Sequence, residues 1–408
     1  MEKKFKIEIA ILSTVPFLMV LGNSMLIPEF PKISAELNIN QFQVGLLITL
    51  FSASAGISIP LLGYLSDKFS RKAVLVPAIL VYGLGGLISG LAAVLLKEQG
   101  YYLLLVGRIV QGIGAAGTYP IVIALIGDIF QSKERSKALG IIEAANGLGK
   151  VSSPLLGAAI ALIVWHALFF SYALLAIPVA LGVYFLVKEP ENNNETEGFK
   201  NYVGEIVQIF KDKGIPLFFT LLAGITVLFI LFGVLSFISE QLENEYQIVG
   251  LTKGLFISLP ILFMSISSYL SGWYLQKKGQ YYKYSMSLGL FISFLALIAL
   301  PFFDGITSFV LLIGVLGIGN GLVLPALNTL VTGSTDSQQR GGITSLYGSS
   351  RFLGVAFGPP AFSLLNRIST TVMFITAAII SLVVALTTLF LVKEEKLIDF
   401  NKQDNEQS

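Results

Sequence analysis

Apolar residues fall into twelve blocks, separated by short polar connectors, along almost the whole chain. A bilayer core about 30 Å thick is crossed by about 20 helical residues. Lipid offers the backbone no hydrogen bonds, so a crossing segment is a helix or part of a closed barrel. Barrel strands alternate polar and apolar positions over about 10 residues, whereas these blocks are longer and apolar throughout. The pattern predicts an all-α membrane protein with spans at 7–27, 44–65, 73–95, 101–127, 138–163, 167–187, 215–239, 252–275, 283–301, 306–332, 342–366 and 371–392.

The composition agrees with a chain immersed in lipid. Of 408 residues, 54% are hydrophobic and 13% charged, against about 25% charged in a soluble domain. The net charge of +2 argues against nucleic acid as a partner. With no cysteine, disulfides, Cys-ligated zinc and iron–sulfur clusters are excluded. A single histidine, His166, makes a His-built metal site untenable, and no cofactor is expected. The basic start Met1–Lys6 resembles a signal peptide. However, the apolar run after it is long and ends in Pro28-Glu29-Phe30-Pro31 rather than small residues, so it reads as a retained first helix.

Lysine and arginine set the expected orientation, because they accumulate in cytoplasmic loops. With the N-terminus inside, twenty of them fall on the cytoplasmic side and only Lys32, Lys97, Lys253 and Arg367 outside. Arg108, Lys150 and Arg351 lie within spans. Both termini are expected in the cytoplasm of a bacterial cell, with the chain a multi-pass protein of the cell membrane. The expected domains are a six-helix bundle at 1–187, a polar cytoplasmic linker at 188–214, a second bundle at 215–392 and a tail at 393–408. A short interfacial helix is expected near Tyr202–Phe210, and Trp165 and His166 read as interface anchors.

The two halves repeat. At a constant offset of 205, Gly112, Gly114, Pro120, Arg135, Leu148, Gly149 and Pro154 match Gly317, Gly319, Pro325, Arg340, Leu353, Gly354 and Pro359. Six spans per half make the repeats parallel, one recurring plan for secondary transporters, with a site where the repeats meet.

Gly63-Tyr64-Leu65-Ser66-Asp67-Lys68-Phe69-Ser70-Arg71-Lys72, between spans two and three, resembles the cytoplasmic loop signature of the major facilitator superfamily, with Ser70 in place of a glycine. By that resemblance Gly63, Asp67 and Arg71 belong to gating. The equivalent stretch of the second half has Gln276 where the acid would stand. Gly22, Pro28 and Pro31 resemble the span-one ending of the drug:proton antiporters of this family. Gly149-Lys150-Val151-Ser152-Ser153-Pro154-Leu155-Leu156-Gly157-Ala158 resembles their span-five signature, with Ser153 and Ala158 for two glycines. Gly149, Pro154 and Gly157 are thereby assigned to helix packing, as are Gly358 and Pro359 in span eleven. Gly107-Arg108-Ile109-Val110-Gln111-Gly112 resembles the element whose arginine the family uses in proton coupling; the alternative is an arginine that snorkels to the interface.

Other charges are peculiar to this chain. Glu143, Asn146, Lys150 and Ser153 share one face of span five, and Arg351 in span eleven aligns with Asn146. Intramembrane charges are costly and mark functional sites by default. Glu143 is the expected proton carrier, tuned by Arg108, unless it only pairs with loop cations at the cytoplasmic mouth. Asn146, Lys150 and Arg351 are expected to contact substrate, although an ion pair within the fold would also account for Lys150. Phe17 and Asn23 in span one, and Phe229 and Phe232 in span seven, are candidate cavity liners, since apolar pockets with few polar anchors suit lipophilic ligands.

The resemblance implies a monomer that exports lipophilic drugs or toxic metabolites in exchange for protons. One rival keeps the fold and exports an anion: a siderophore, organic acid or lipid-linked phosphate. A second is a non-transporting sensor. No nucleophile–base set is visible, so an enzyme is not expected.

Overall fold

The computed structural model describes residues 3–130, 132–190, 198–303, 305–334 and 340–398. Residues 191–197 of the expected linker and 399–408 of the expected tail lie outside these. The described residues form fifteen α-helices and no strand. In chain order they are α1 (Lys3–Ser24), α2 (Phe30–Leu37), α3 (Gln41–Lys68), α4 (Arg71–Leu95), α5 (Tyr101–Ala116), α6 (Tyr119–Ile129), α7 (Ser132–Ala161) and α8 (Ala167–Leu186). After the linker come α9 (Phe199–Asn244), α10 (Gly250–Lys278), α11 (Tyr282–Ala299), α12 (Ile306–Thr332), α13 (Arg340–Asn366), α14 (Thr370–Leu391) and α15 (Glu394–Leu397).

Ten stretches of described residues are long and apolar enough to cross a membrane. The other two expected spans correspond to α7 and α13, which are 30 and 27 residues long. These helices carry Glu143, Lys150 and Arg351, which dilute their apolar character. Local chemistry marks several boundaries. Asn40 caps α3 by accepting from the Gln43 amide at 3.0 Å, and the Gln43 side chain accepts from the Asn40 amide at 2.9 Å, a reciprocal capping box. Span four breaks at Gly117 and Thr118, between α5 and α6. Gly214 has φ +48° and kinks α9, separating an amphipathic segment before it from the span after it. That segment contains the interfacial helix expected near Tyr202–Phe210. Its Tyr202 hydroxyl lies 2.9 Å from the Ser345 hydroxyl of α13.

The chain forms two compact units. The first comprises residues 1–198 and 235–258, so the end of α9 and the start of α10 pack with the first six spans. The second comprises residues 199–234 and 259–408. In the first unit α4 packs on α5 and α8, α3 on α5, and α1 on α7; in the second, α11 packs on α12 and α14. Small residues permit this closeness, as lipid provides no hydrophobic drive between helices. Trp165 is buried, at 3% exposure, and its indole N–H donates to Glu36 Oε2 at 2.6 Å. It therefore fastens α2 to the start of α8.

Candidate functional site

Asp67 and Arg71, which the resemblance assigns to gating, form a network on the basic-loop face of the first unit. Arg71, at the first position of α4, donates to Asp67 at the end of α3 and to the Ser66 hydroxyl at 3.0 Å. Its Nε donates to Asp128 Oδ2, near the end of α6, at 3.1 Å. One guanidinium therefore links spans two, three and four, a task suited to the planar fork of arginine. Gly63 lies one turn before Asp67 on α3.

A carboxylate at the start of the expected linker secures the same helix start. Glu189, just after span six, accepts from the Arg71 amide at 2.6 Å, the Lys72 amide at 3.0 Å and the Ser70 hydroxyl at 2.6 Å. Lys72 Nζ returns a bond to the Val187 carbonyl at 2.8 Å. First-turn amides lack helical partners and carry the positive end of the dipole, so a carboxylate is favoured there. In the second unit Glu394 accepts from the Lys283 amide, at the start of α11, at 2.6 Å. Burial pushes the Glu394 carboxyl up from its ordinary value, opposed by that amide bond and the Lys283 charge. The two clasps are repeat equivalents: Leu186-Val187-Lys188-Glu189 and Leu391-Val392-Lys393-Glu394 are identical tetrapeptides at the offset of 205. This duplication was the available signal. Removing such a cap costs about 1 kcal/mol, so Glu189→Ala is expected to lower the melting temperature of the purified protein by roughly 3 °C. Glu189→Gln, which keeps one acceptor oxygen, should lose about half as much. Unchanged melting of both variants would show that the clasp holds nothing.

Arg108 is wholly buried on α5. Its Nε donates to the Leu47 carbonyl at 2.8 Å, Nη1 to Gln111 Oε1 at 2.5 Å and Nη2 to the Gly22 carbonyl at 2.7 Å. The guanidinium lies over the Phe51 ring, 4.5 Å from its centre. Among the described residues no carboxylate reaches ion-pairing distance. Arg108 ties spans one, two and four through main-chain carbonyls. It is not brought to Glu143, which sits exposed on α7 and accepts from the Tyr119 hydroxyl of α6.

The remaining predicted residues divide between the units. In the first, Asn146 is buried at 3% exposure, Lys150 is half-buried, and the Ser153 hydroxyl is buried with no partner among the described residues. Asn23 donates to the Ser52 hydroxyl at 3.1 Å. A side chain at Gly149 would come 3.3 Å from Phe17 Cα, and one at Gly157 would overlap the Met25 carbonyl. Pro154 lies between them on α7. In the second unit Arg351 stacks on Tyr347 at 5.3 Å, and Phe229 meets Phe362 edge-on at 5.6 Å. Phe232 is buried. A side chain at Gly354 would lie 2.5 Å from the Ile225 carbonyl, and one at Gly358, beside Pro359, 2.5 Å from the Phe229 carbonyl.

These contacts repeat, with one inversion. Gly149 on Phe17 corresponds to Gly354 on Ile225. Gly157 on Met25 corresponds to Phe362 on Gly233, large and small having exchanged helices. The span-five signature thus serves the packing of spans one and five, and its counterpart that of spans seven and eleven.

The duplicated helical units, the Arg71 network and the packing signature converge on one class of protein. The chain belongs to the Major Facilitator Superfamily, whose family model matches residues 12–303 and 280–407. It is a membrane-spanning transporter of small molecules. It is 40% identical over 391 residues to the bacillibactin exporter of Bacillus subtilis (strain 168), an alignment covering 95% of this chain and 97% of that protein. Multidrug resistance protein 1 of the same organism is 27% identical over 400 residues, 95% of this chain and 97% of that one. Among solved structures, a bacterial homolog of the human lysosomal transporter Spinster matches with a TM-score of 0.78 at 16% identity, covering 98% of this chain and 99% of that one.

Proposed function

We propose that this transporter exports an anionic siderophore of the bacillibactin type from a bacterial cell, in exchange for protons. The observation that carries the cargo is the 40% identity to a bacillibactin exporter along nearly the full length of both chains, against 27% to a multidrug resistance protein. Lys150 and Arg351 place positive charge in spans five and eleven, the sign that an anion requires. The proposed cycle rocks a bundle at 1–187 against one at 215–392, joined by the 188–214 linker and followed by the 393–408 tail. Both termini are cytoplasmic by the distribution of lysine and arginine. Phe17, Asn23, Asn146, Phe229 and Phe232 complete the proposed cargo surface. Glu143, at the cytoplasmic end of span five, is the proposed carrier of the exchanged proton, and a single chain completes the cycle.

Proteoliposomes with an imposed pH gradient test this. Bacillibactin is expected to move against its concentration gradient in a proton-dependent way, with ethidium left behind. Transport of ethidium without bacillibactin would return the cargo to the cationic-drug class. Bacillibactin transport indifferent to the pH gradient would remove the proton exchange.

A further inference from the structure

The first unit contains a buried charge cluster at the end opposite the basic loops. Glu29 follows Pro28 in a 3-10 turn that joins α1 to α2, and is 8% exposed. Lys253, in the first turn of α10, is 3% exposed and donates to Glu243 Oε2 of α9 at 2.5 Å. Glu29 has Lys253, Lys32 and Glu243 as charged neighbours. Among the described residues its carboxylate accepts no hydrogen bond. The surrounding seam is otherwise tight. The Ser239 hydroxyl donates to the Ile27 carbonyl at 2.5 Å, and a side chain at Gly254 would lie 2.9 Å from the Pro154 carbonyl.

The charge count does not balance. One buried cation faces two carboxylates: Lys253 bonds Glu243 and also attracts Glu29. Lys32 is exposed and screened by water. Glu36 of α2 is held by Trp165. Glu240, one turn before Glu243 on α9, adds a further acid in a groove lined by Phe30, Pro31, Ser34 and Gln41. The adjoining parts of α3 (residues 41–50) and α7 (residues 151–161) carry no titratable side chain. Lys253 and Lys32 attract the Glu29 carboxylate, but burial remains the larger influence and disfavours its charged form.

We propose that Glu29 is a proton-binding site that locks this seam. When α9 and α10 draw against α1 and α7, Glu29 takes one proton from the adjacent medium, leaving a neutral acid beside the Glu243–Lys253 pair. When the seam parts, the acid is hydrated and returns the proton to the same medium. The proton is not carried across the membrane; the site senses acidity on its own face and is separate from Glu143. The face is the outer one in the topology proposed above, so external acid favours closure there. That placement rests on the proposed function, while the lock itself does not.

The chain has no cysteine, so Ala35→Cys and Glu245→Cys place two spin labels across the seam in the full-length protein. Electron–electron distance measurements in nanodiscs, without substrate, are made between pH 5 and 8. The short-distance population is expected to grow as pH falls. Glu29→Gln should hold it high at every pH, Lys253→Met should reduce it throughout, and Lys253→Arg should keep the parent profile. A Glu29→Gln protein with the parent pH profile would overturn the proposal, whether or not Lys253→Met folds. An absence of bacillibactin transport would leave these distances unchanged, so the two readings fail separately.

Discussion

Arg108→Ala is expected to melt roughly 10 °C below the parent protein, Arg108→Met to recover only the part of that loss due to the cavity, and neither to transport. The alanine variant leaves a cavity where a wholly buried side chain filled the space between spans one, two and four. It also strands the Gln111 side chain, whose Nε2 already lacks a partner among the described residues. Emptying a site of this size costs about 3–5 kcal/mol. Methionine refills the volume and introduces no charge. Two opposing terms then decide its stability. The charged hydrogen bonds contribute about 1.5–3 kcal/mol each, while a charge in a membrane helix costs about 2.5–3.5 kcal/mol by insertion scales. Three such bonds outweigh that cost by roughly 1–6 kcal/mol, so methionine refills the space yet stays less stable than arginine. The same bonds fix span one against spans two and four through the Gly22 and Leu47 carbonyls, which methionine cannot do. Differential scanning fluorimetry paired with bacillibactin uptake into proteoliposomes reads both terms. Full transport by Arg108→Met would reduce Arg108 to a space filler.

The spans were legible in the sequence because lipid imposes both their length and their apolar character. Polar anchors inside them were legible as residue types but not as partners. Arg108 stood out as an intramembrane charge, yet nothing in the chain places the Gly22 and Leu47 carbonyls beside it rather than Glu143. The loop between spans two and three was readable because its residues are contiguous; Asp128, which completes its network, lies far along the chain. Glu189 and Glu394 were hidden for another reason. The repeat was traced through glycines and prolines inside helices, and the duplicated tetrapeptides lie just beyond helix ends. Lys253 read as one of a few outer-loop cations, because its burial beside Glu29 depends on residues more than 200 positions apart. Side-chain type is local information, whereas compensation of a buried charge is set by the packing of distant helices.

The same distinction separates two glycines that look alike in the sequence, Gly157 and Gly233. Each is where a helix of one pair approaches the other, but the opposing atoms differ. At Gly157 an added methyl overlaps the Met25 main-chain carbonyl; at Gly233 it overlaps the Phe362 ring. A ring can be trimmed, and a carbonyl cannot. Gly157→Ala is therefore expected to force α1 from α7 and to cost about 3 kcal/mol, the upper range for an overfilled contact. Shortening Met25 to alanine should not relieve it. Gly233→Ala should cost a similar amount alone, and Phe362→Leu should restore most of it. Gly147→Ala, on the same helix as Gly157 with nothing within 4 Å of the added group, should be neutral or stabilising by up to about 1 kcal/mol, the helix propensity difference. Melting temperatures of the five proteins form a closed comparison. Rescue of Gly157→Ala by Met25→Ala would show that the Met25 side chain, not the helix backbone, sets the approach of spans one and five.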